Sequence, residues 1–124
     1  MRRETRRHHD LEVWRDAIDL VAVVYRASAS FPPDERFGLT AQIRRAAVSV
    51  PSNIAEGSAR RSRAELLHFL YVARGSLSEV ETQVQIARRL LMLGDDDDLD
   101  EALDKVFAKL GGLINSLKVK KDAS

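Results

Sequence analysis

With 124 residues, 44% of them hydrophobic and 31% charged, the chain suits one compact domain over residues 1–124 and is too rich in apolar residues for a disordered or collagen-like class. The absence of cysteine excludes disulfide frameworks, thiol catalysis and cysteine-ligated zinc, and it fits a reducing cytoplasm. A formal net charge of only +1 gives no overall basic excess to draw the chain to nucleic acid.

At the N-terminus, Arg2, Arg3, Arg6 and Arg7 could open a signal peptide, but Asp10, Glu12, Arg15, Asp16 and Asp19 interrupt the apolar stretch that must follow. No export signal is read, and residues 1–9 are expected to fray. The first helix is expected over 11–30. Leu11, Trp14, Ile18, Val21 and Tyr25 form one apolar row, and Val13, Ala17, Leu20, Val24, Ala27 and Phe31 form a second beside it. Together they make one wide apolar face. Asp10 is placed to cap this helix, and Pro32-Pro33 to end it.

A second, shorter helix is marked by Leu39, Ile43, Ala47, Val50 and Ile54. Pro51 falls inside this pattern and predicts a kink near 47–50, because an interior proline removes a donor and crowds the preceding turn. Gly57 is placed to stop the helix in a left-handed conformation. The longest stretch free of Asp, Glu, Lys and Arg, ten residues over 46–55, lies here. It falls far short of the roughly 20 apolar residues a membrane span requires.

Ser62-Arg63-Ala64-Glu65 is a capping box that opens a third helix. Its stripe is Leu66, Leu70, Ala73, Leu77, Val80, Val84, Ala87 and Leu91, ending at Gly94. Acidic residues from Asp98 to Glu101 open a fourth helix, where the helix dipole favours them. Leu99, Leu103, Val106, Leu110, Leu113 and Leu117 carry its core face, and residues 119–124 are expected to fray. No segment alternates apolar and polar residues over a strand's length. The expected fold is all-α, an antiparallel up-and-down four-helix bundle.

Charge is segregated along the chain. Residues 36–74 hold seven Arg against Glu56 and Glu65, a balance of +5, whereas residues 95–104 hold six Asp and Glu101 with no basic residue, a balance of −7. Arg44, Arg45, Arg60, Arg61, Arg63, Arg74, Arg88 and Arg89 therefore have two readings. Either they form a face for phosphate contact, or they are ordinary surface charge paired with Glu56, Glu65, Glu79 and Glu81.

Catalytic and metal readings are weak. His8-His9-Asp10 presents adjacent residues that do not converge, and a basic arm explains them better. His68 follows Glu65 by three residues, but a di-iron bundle requires a second such pair and two further carboxylates. The aspartates at 95–98 lack the glycine and distal glutamate of a calcium loop. Neither a phosphate-binding glycine loop nor a nucleophile paired with histidine is present. Asn53, Glu56, Arg74, Ser76 and Glu79 lie beside core positions, where polar groups are costly unless paired. With Arg44 and Arg45 they are expected to form a structural network between helices or subunits. Gly75 and Gly111-Gly112, inside helices, point to close backbone approach.

Taken as a set, four strings resemble one known family. They are Leu11-x-Val13-Trp14; Phe31-Pro32-x-x-Glu35-Arg36-Phe37-Gly38-Leu39; Gln42-Ile43-Arg44-Arg45-Ala46-Ala47-x-Ser49-Val50-Pro51-x-Asn53-Ile54-Ala55-Glu56-Gly57; and Phe69-Leu70-x-x-Ala73-Arg74-Gly75-Ser76-Leu77-x-Glu79. The family is that of the bacterial 23S rRNA intervening-sequence proteins, also described as the S23 ribosomal protein family, and the likeness spans about residues 11–118. It implies a homopentameric ring of four-helix subunits with no established catalysis. A related family, the accessory proteins of diversity-generating retroelements, shares the pentameric barrel and binds nucleic acid through basic surfaces. The chain departs from the family pattern in its 95–98 aspartates and Arg-rich N-terminus.

The expected function is accordingly that of a non-enzymatic, ring-forming protein that binds or scaffolds in a nucleic-acid context, with no cofactor or metal. Its expected partners are copies of itself and RNA or DNA, with contacts through Arg60, Arg61 and Arg63 aided by Arg2, Arg3, Arg6 and Arg7. The alternative is a protein–protein assembly module without nucleic-acid affinity, with a metal-dependent enzyme behind both.

Overall fold

The computed structural model describes His8 and residues 11–123, the last five as backbone alone. Four α-helices follow in order, α1 (Glu12–Ser28), α2 (Leu39–Ser58), α3 (Arg63–Arg89) and α4 (Asp97–Ala123), with a 3-10 turn at Pro33–Glu35 between the first two. No strand occurs among the described residues. Each helix packs against two others, α1 on α2 and α4, and α3 on α2 and α4, while the backbones of the pairs α1/α3 and α2/α4 stay apart. One aliphatic cluster runs through the middle. It draws Leu20 and Val24 from α1, Ile43, Val50 and Ile54 from α2, Leu70, Leu77 and Val80 from α3, and Leu99, Leu110 and Ile114 from α4. None of the helices is long and apolar enough to cross a membrane.

Of the two apolar rows, Val13, Ala17, Leu20 and Val24 enter this core from α1, with Phe31 just beyond the helix. The other row lies at its margin, with Leu11, Trp14 and Val21 half-buried and Ile18 and Tyr25 exposed. His8, expected in a loose arm, instead sets its ring edge-on to Trp14 with 4.8 Å between centroids. Asp10, His9 and Arg2, Arg3, Arg6 and Arg7 lie outside the described residues. The α1 N-cap is Leu11, without a side-chain cap. At its other end the helix stops at Ser28, before the prolines; the Ser28 hydroxyl turns back to the Val24 carbonyl at 2.8 Å.

Helix ends depart from expectation where a glycine was taken as a stop. Gly57 lies inside α2, and the helix runs through Pro51 to Ser58. No described glycine has a positive φ. What Gly57 supplies is clearance, because a Cβ there would stand 2.8 Å from Phe69 Cβ and 3.2 Å from the Leu66 carbonyl oxygen. At Gly75, Gly111 and Gly112 a Cβ would meet nothing within 4 Å, so close packing inside the subunit does not explain them. Helix α4 continues to Ala123, through the segment expected to fray.

The third helix ends at Arg89, five residues before Gly94. Met92 N–H donates to the Ala87 carbonyl at 2.8 Å and Leu91 N–H to that of Arg88 at 3.0 Å, the paired bonds of a Schellman stop. That stop places Leu91 in the left-handed region at φ 61°. A leucine there costs about 1–2 kcal/mol, whereas glycine takes up the conformation freely. Its side chain recovers nothing within the subunit, being 92% exposed. Half of the capping box is in place, since the Glu65 carboxylate takes the Ser62 hydroxyl rather than the Ser62 amide. Ser62 Oγ accepts from Glu65 N–H at 3.1 Å, and the glutamate reaches back to the serine hydroxyl. Asp96 caps α4, its Oδ1 accepting from Leu99 N–H at 3.0 Å.

Helices α1 and α4 are joined by one polar cluster, in which Lys109 Nζ lies 2.6 Å from Asp16 Oδ2 and 3.1 Å from Glu12 Oε2. Hydrogen bonding to Asp16 first and Glu12 second holds the Lys109 pKa above its ordinary 10.5, against desolvation that lowers it. A pKa raised on folding stabilises the fold below the unfolded value and loses that contribution as pH climbs through the folded one. Urea unfolding followed from pH 9 to 12 should therefore show a steeper alkaline loss of stability in the parent than in Lys109→Gln. Equal slopes would mean the cluster does not act in solution.

The glycines make a second test. Gly57→Ala should lower unfolding stability by roughly 1–3 kcal/mol through overpacking against α3, while Gly112→Ala, in the open, should raise it by up to about 1 kcal/mol through helix propensity. Denaturant midpoints of the two variants at one protein concentration check the opposite signs.

Candidate nucleic-acid interface

The α2–α3 turn carries the basic cluster because two helix ends meet there. Arg60 and Arg61 follow the last turn of α2, and Arg63 opens α3. All three are exposed, but they are not equivalent. Arg60 Nη2 sits 2.6 Å from Glu56 Oε1 and Nη1 3.9 Å from Glu65 Oε2, and its guanidinium lies 5.0 Å from the centre of the Phe69 ring. Arg61 and Arg63 have no acidic partner among the described residues. Their charges are therefore open to an external anion, whereas that of Arg60 is largely answered from within.

The structural network is brought together in part. Ser49 Oγ and Ser76 Oγ share a hydrogen bond of 2.8 Å across α2 and α3. Asn53 Nδ2 donates to both the Ser49 carbonyl (2.8 Å) and the Ser49 hydroxyl (2.9 Å). Ser49 is the junction, and sequence reasoning missed it although it lies in the 42–57 string. Arg44 ties α2 to the end of α1, donating to Ser28 Oγ at 2.8 Å and to the Tyr25 carbonyl at 3.2 Å while stacking 4.5 Å from the Tyr25 ring centre.

The remaining members lie apart from that junction. Arg45 is exposed and without an ion-pair partner among the described residues, and Glu56 is taken by Arg60. Glu79 is exposed, with one long contact of 3.4 Å from Gln83. Arg74, expected beside the core with a carboxylate partner, is exposed and stacks 5.0 Å from the Tyr71 ring centre. Its position on α3 turns it outward while Ala73 and Leu77 fill the core.

The acidic stretch is held at Asp96 and Asp100 and open at the aspartates around them. Arg88 grips both carboxylate oxygens of Asp100 at 3.1 Å and the Gly94 carbonyl at 3.2 Å, closing the α3–α4 connection. Asp95, Asp97 and Asp98 are exposed. His68 is exposed and packs edge-on to Phe69. Among the described residues no group of three His, Asp or Glu side chains gathers as a metal site would require.

Comparison with curated proteins gave no match. The sequence model of the family described as 23S rRNA-intervening sequence protein matches residues 9–115. That span takes in all of α1, α2 and α3 and most of α4, including every string on which the resemblance rested. The chain belongs to the 23S rRNA-intervening sequence protein family.

Proposed function

We propose that this protein is a non-catalytic assembly subunit, an antiparallel up-and-down bundle that closes into a ring, pentameric as the family resemblance implies, and holds RNA or DNA by its phosphates in the cytoplasm. The antiparallel path is supported by contacts between successive helix ends. Arg44 early in α2 meets the end of α1, and Gly57 late in α2 abuts the start of α3. Arg88 late in α3 holds the start of α4, and Lys109 within α4 returns to the start of α1. The observation that carries the binding reading is the pair Arg61 and Arg63, exposed at one turn with no carboxylate among the described residues to answer them. Two such charges bind a polyanion weakly, but a ring repeats them around its axis and raises their effective concentration. Sequence preference is not expected from phosphate contacts alone.

A second reading, an assembly module without nucleic-acid affinity, is favoured by the exposed apolar margin of α1. Salt titration separates the two. Binding of labelled single-stranded RNA and duplex DNA should weaken linearly in a log–log plot as salt rises, by about 0.7 to 0.9 per phosphate contact. The Arg61→Gln/Arg63→Gln double variant should flatten that slope more than Arg60→Gln does. Absence of binding at about 100 µM protein in low salt, the weak end of the usual non-specific range, would leave the assembly module as the reading.

A further inference from the structure

The outer row of α1 and the neighbouring face of α2 enclose an open groove of about 590 Å³ lined by Trp14, Ile18, Val21, Tyr25, Val48 and Pro51, among others. Ile18, Tyr25 and Val48 are 44%, 43% and 40% exposed. Among the described residues no carboxylate, lysine or arginine lines the groove. Its rim at the Tyr25 end is basic, with Arg44 over the tyrosine ring and Arg45 exposed beside it in sequence. Apolar surface of this kind on a small subunit marks a place where something binds.

A second apolar feature lies elsewhere on the molecule. Ile86, Leu90 and Leu91 are exposed at the end of α3, and Leu91 is held outward by the Schellman bonds and by the grip of Arg88 on Gly94 and Asp100. Nothing inside the subunit accounts for a leucine in a backbone conformation that glycine would take without strain. The aspartates at 95–98 follow four residues later. One feature is thus a groove with a basic rim, and the other a projecting corner with an acidic flank. Arg89 is exposed beside Leu90, but Asp95, Asp97 and Asp98 outnumber it, so the two features carry flanking charge of opposite sign.

We propose that the Leu90–Leu91 corner of one copy seats in the α1–α2 groove of a second copy, with the 95–98 aspartates facing Arg44 and Arg45. The corner does not fill its own groove, because α1 and α3 are not neighbours in the bundle. Different surfaces meet on the two copies, so the contact is heterologous and repeats head to tail, closing a ring when the rotation permits. This deepens the ring reading above and rests on it.

The test measures assembly of the full chain by sedimentation and light scattering for the parent, Leu91→Gly and Ile18→Lys. Leu91→Gly relieves the left-handed strain, so the subunit itself should resist urea better than the parent when both are dilute enough to be dissociated. Its self-association should nonetheless weaken about tenfold or more, the worth of one buried leucine. Ile18→Lys, at an exposed position, should keep its helix content by circular dichroism and lose assembly. Neither variant should form rings alone, but mixed together they should form a 1:1 pair, since one intact corner and one intact groove remain.

A parent that is oligomeric alongside variants that assemble equally well would overturn this contact and leave the ring standing. A parent that is monomeric at millimolar concentration would overturn both. Binding of the parent to vesicles of phosphatidylglycerol and phosphatidylcholine that Ile18→Lys abolishes, with assembly untouched, would give the groove to a membrane surface and also overturn the proposal.

Discussion

A helix buries only the stripe its neighbours can cover, and α1, 17 residues long, carries two. The row of Val13, Ala17, Leu20 and Val24 is packed between α2 and α4, and this placement fixes how the whole bundle is registered around the aliphatic core. It also fixes what remains outside. Once these residues face inward, Trp14, Ile18, Val21 and Tyr25 are rotated to the α2 edge, where Trp14 and Val21 stay half-buried and Ile18 and Tyr25 are exposed. The same constraint explains Arg44, which stacks on Tyr25 and bonds the last turn of α1, holding α2 at the distance that leaves the groove open.

Polar groups in this molecule set register more than they add stability. Exposed ion pairs contribute at most about 1 kcal/mol each, and those present join neighbouring elements: Arg60 across its own turn, Arg88 across the α3–α4 connection, Lys109 from α4 to α1. The Ser49–Ser76 bond, with Asn53 behind it, plays this part between α2 and α3, where a half-buried hydroxyl must be paired with something. These ties use up few of the charges. Positive charge is left open on Arg45, Arg61 and Arg63 and negative charge on Asp95 and Asp97, while Asp98 shares a surface hollow with Arg26 and Lys105, so the segregation along the chain survives only in part in space.

The four helices were legible in the sequence because each apolar stripe keeps helical spacing over several turns, and Ser62 with Glu65 announced the start of α3 by a local rule. Features set by a partner element were not legible. A glycine demanded by the approach of Phe69 looks in sequence like a glycine that ends a helix, and only the packing of α3 on α2 tells Gly57 from a stop. Leu91 reads as the last core position of α3, since periodicity cannot show that the helix has already closed two residues earlier. At the basic turn, Glu56 stands four residues before Arg60, one helical turn away, a spacing that brings the two side chains together. The openness of Arg61 and Arg63 depends on which way the chain leaves α2, and no local pattern encodes it. Arg74 stands next to a core residue in sequence, and on a helix that adjacency is a rotation of about 100°, enough to carry its side chain to the subunit surface.

The length of α3 separates the two candidate interaction surfaces. Its 27 residues span about 40 Å at 1.5 Å per residue, with Arg61 and Arg63 at one end and Leu90 and Leu91 at the other. In the proposed contact the leucine corner lies at the opposite end of α3 from the arginine turn, so the corner itself would not cover the turn. In a head-to-tail ring every subunit points the same way about the axis, so all the arginine turns fall on one rim. The strained leucine and the open arginines then belong to one arrangement. In the proposed ring, surface that the isolated subunit leaves exposed at one end of α3 would close the assembly, and the closure would gather at the other end charges that are too few on any single copy.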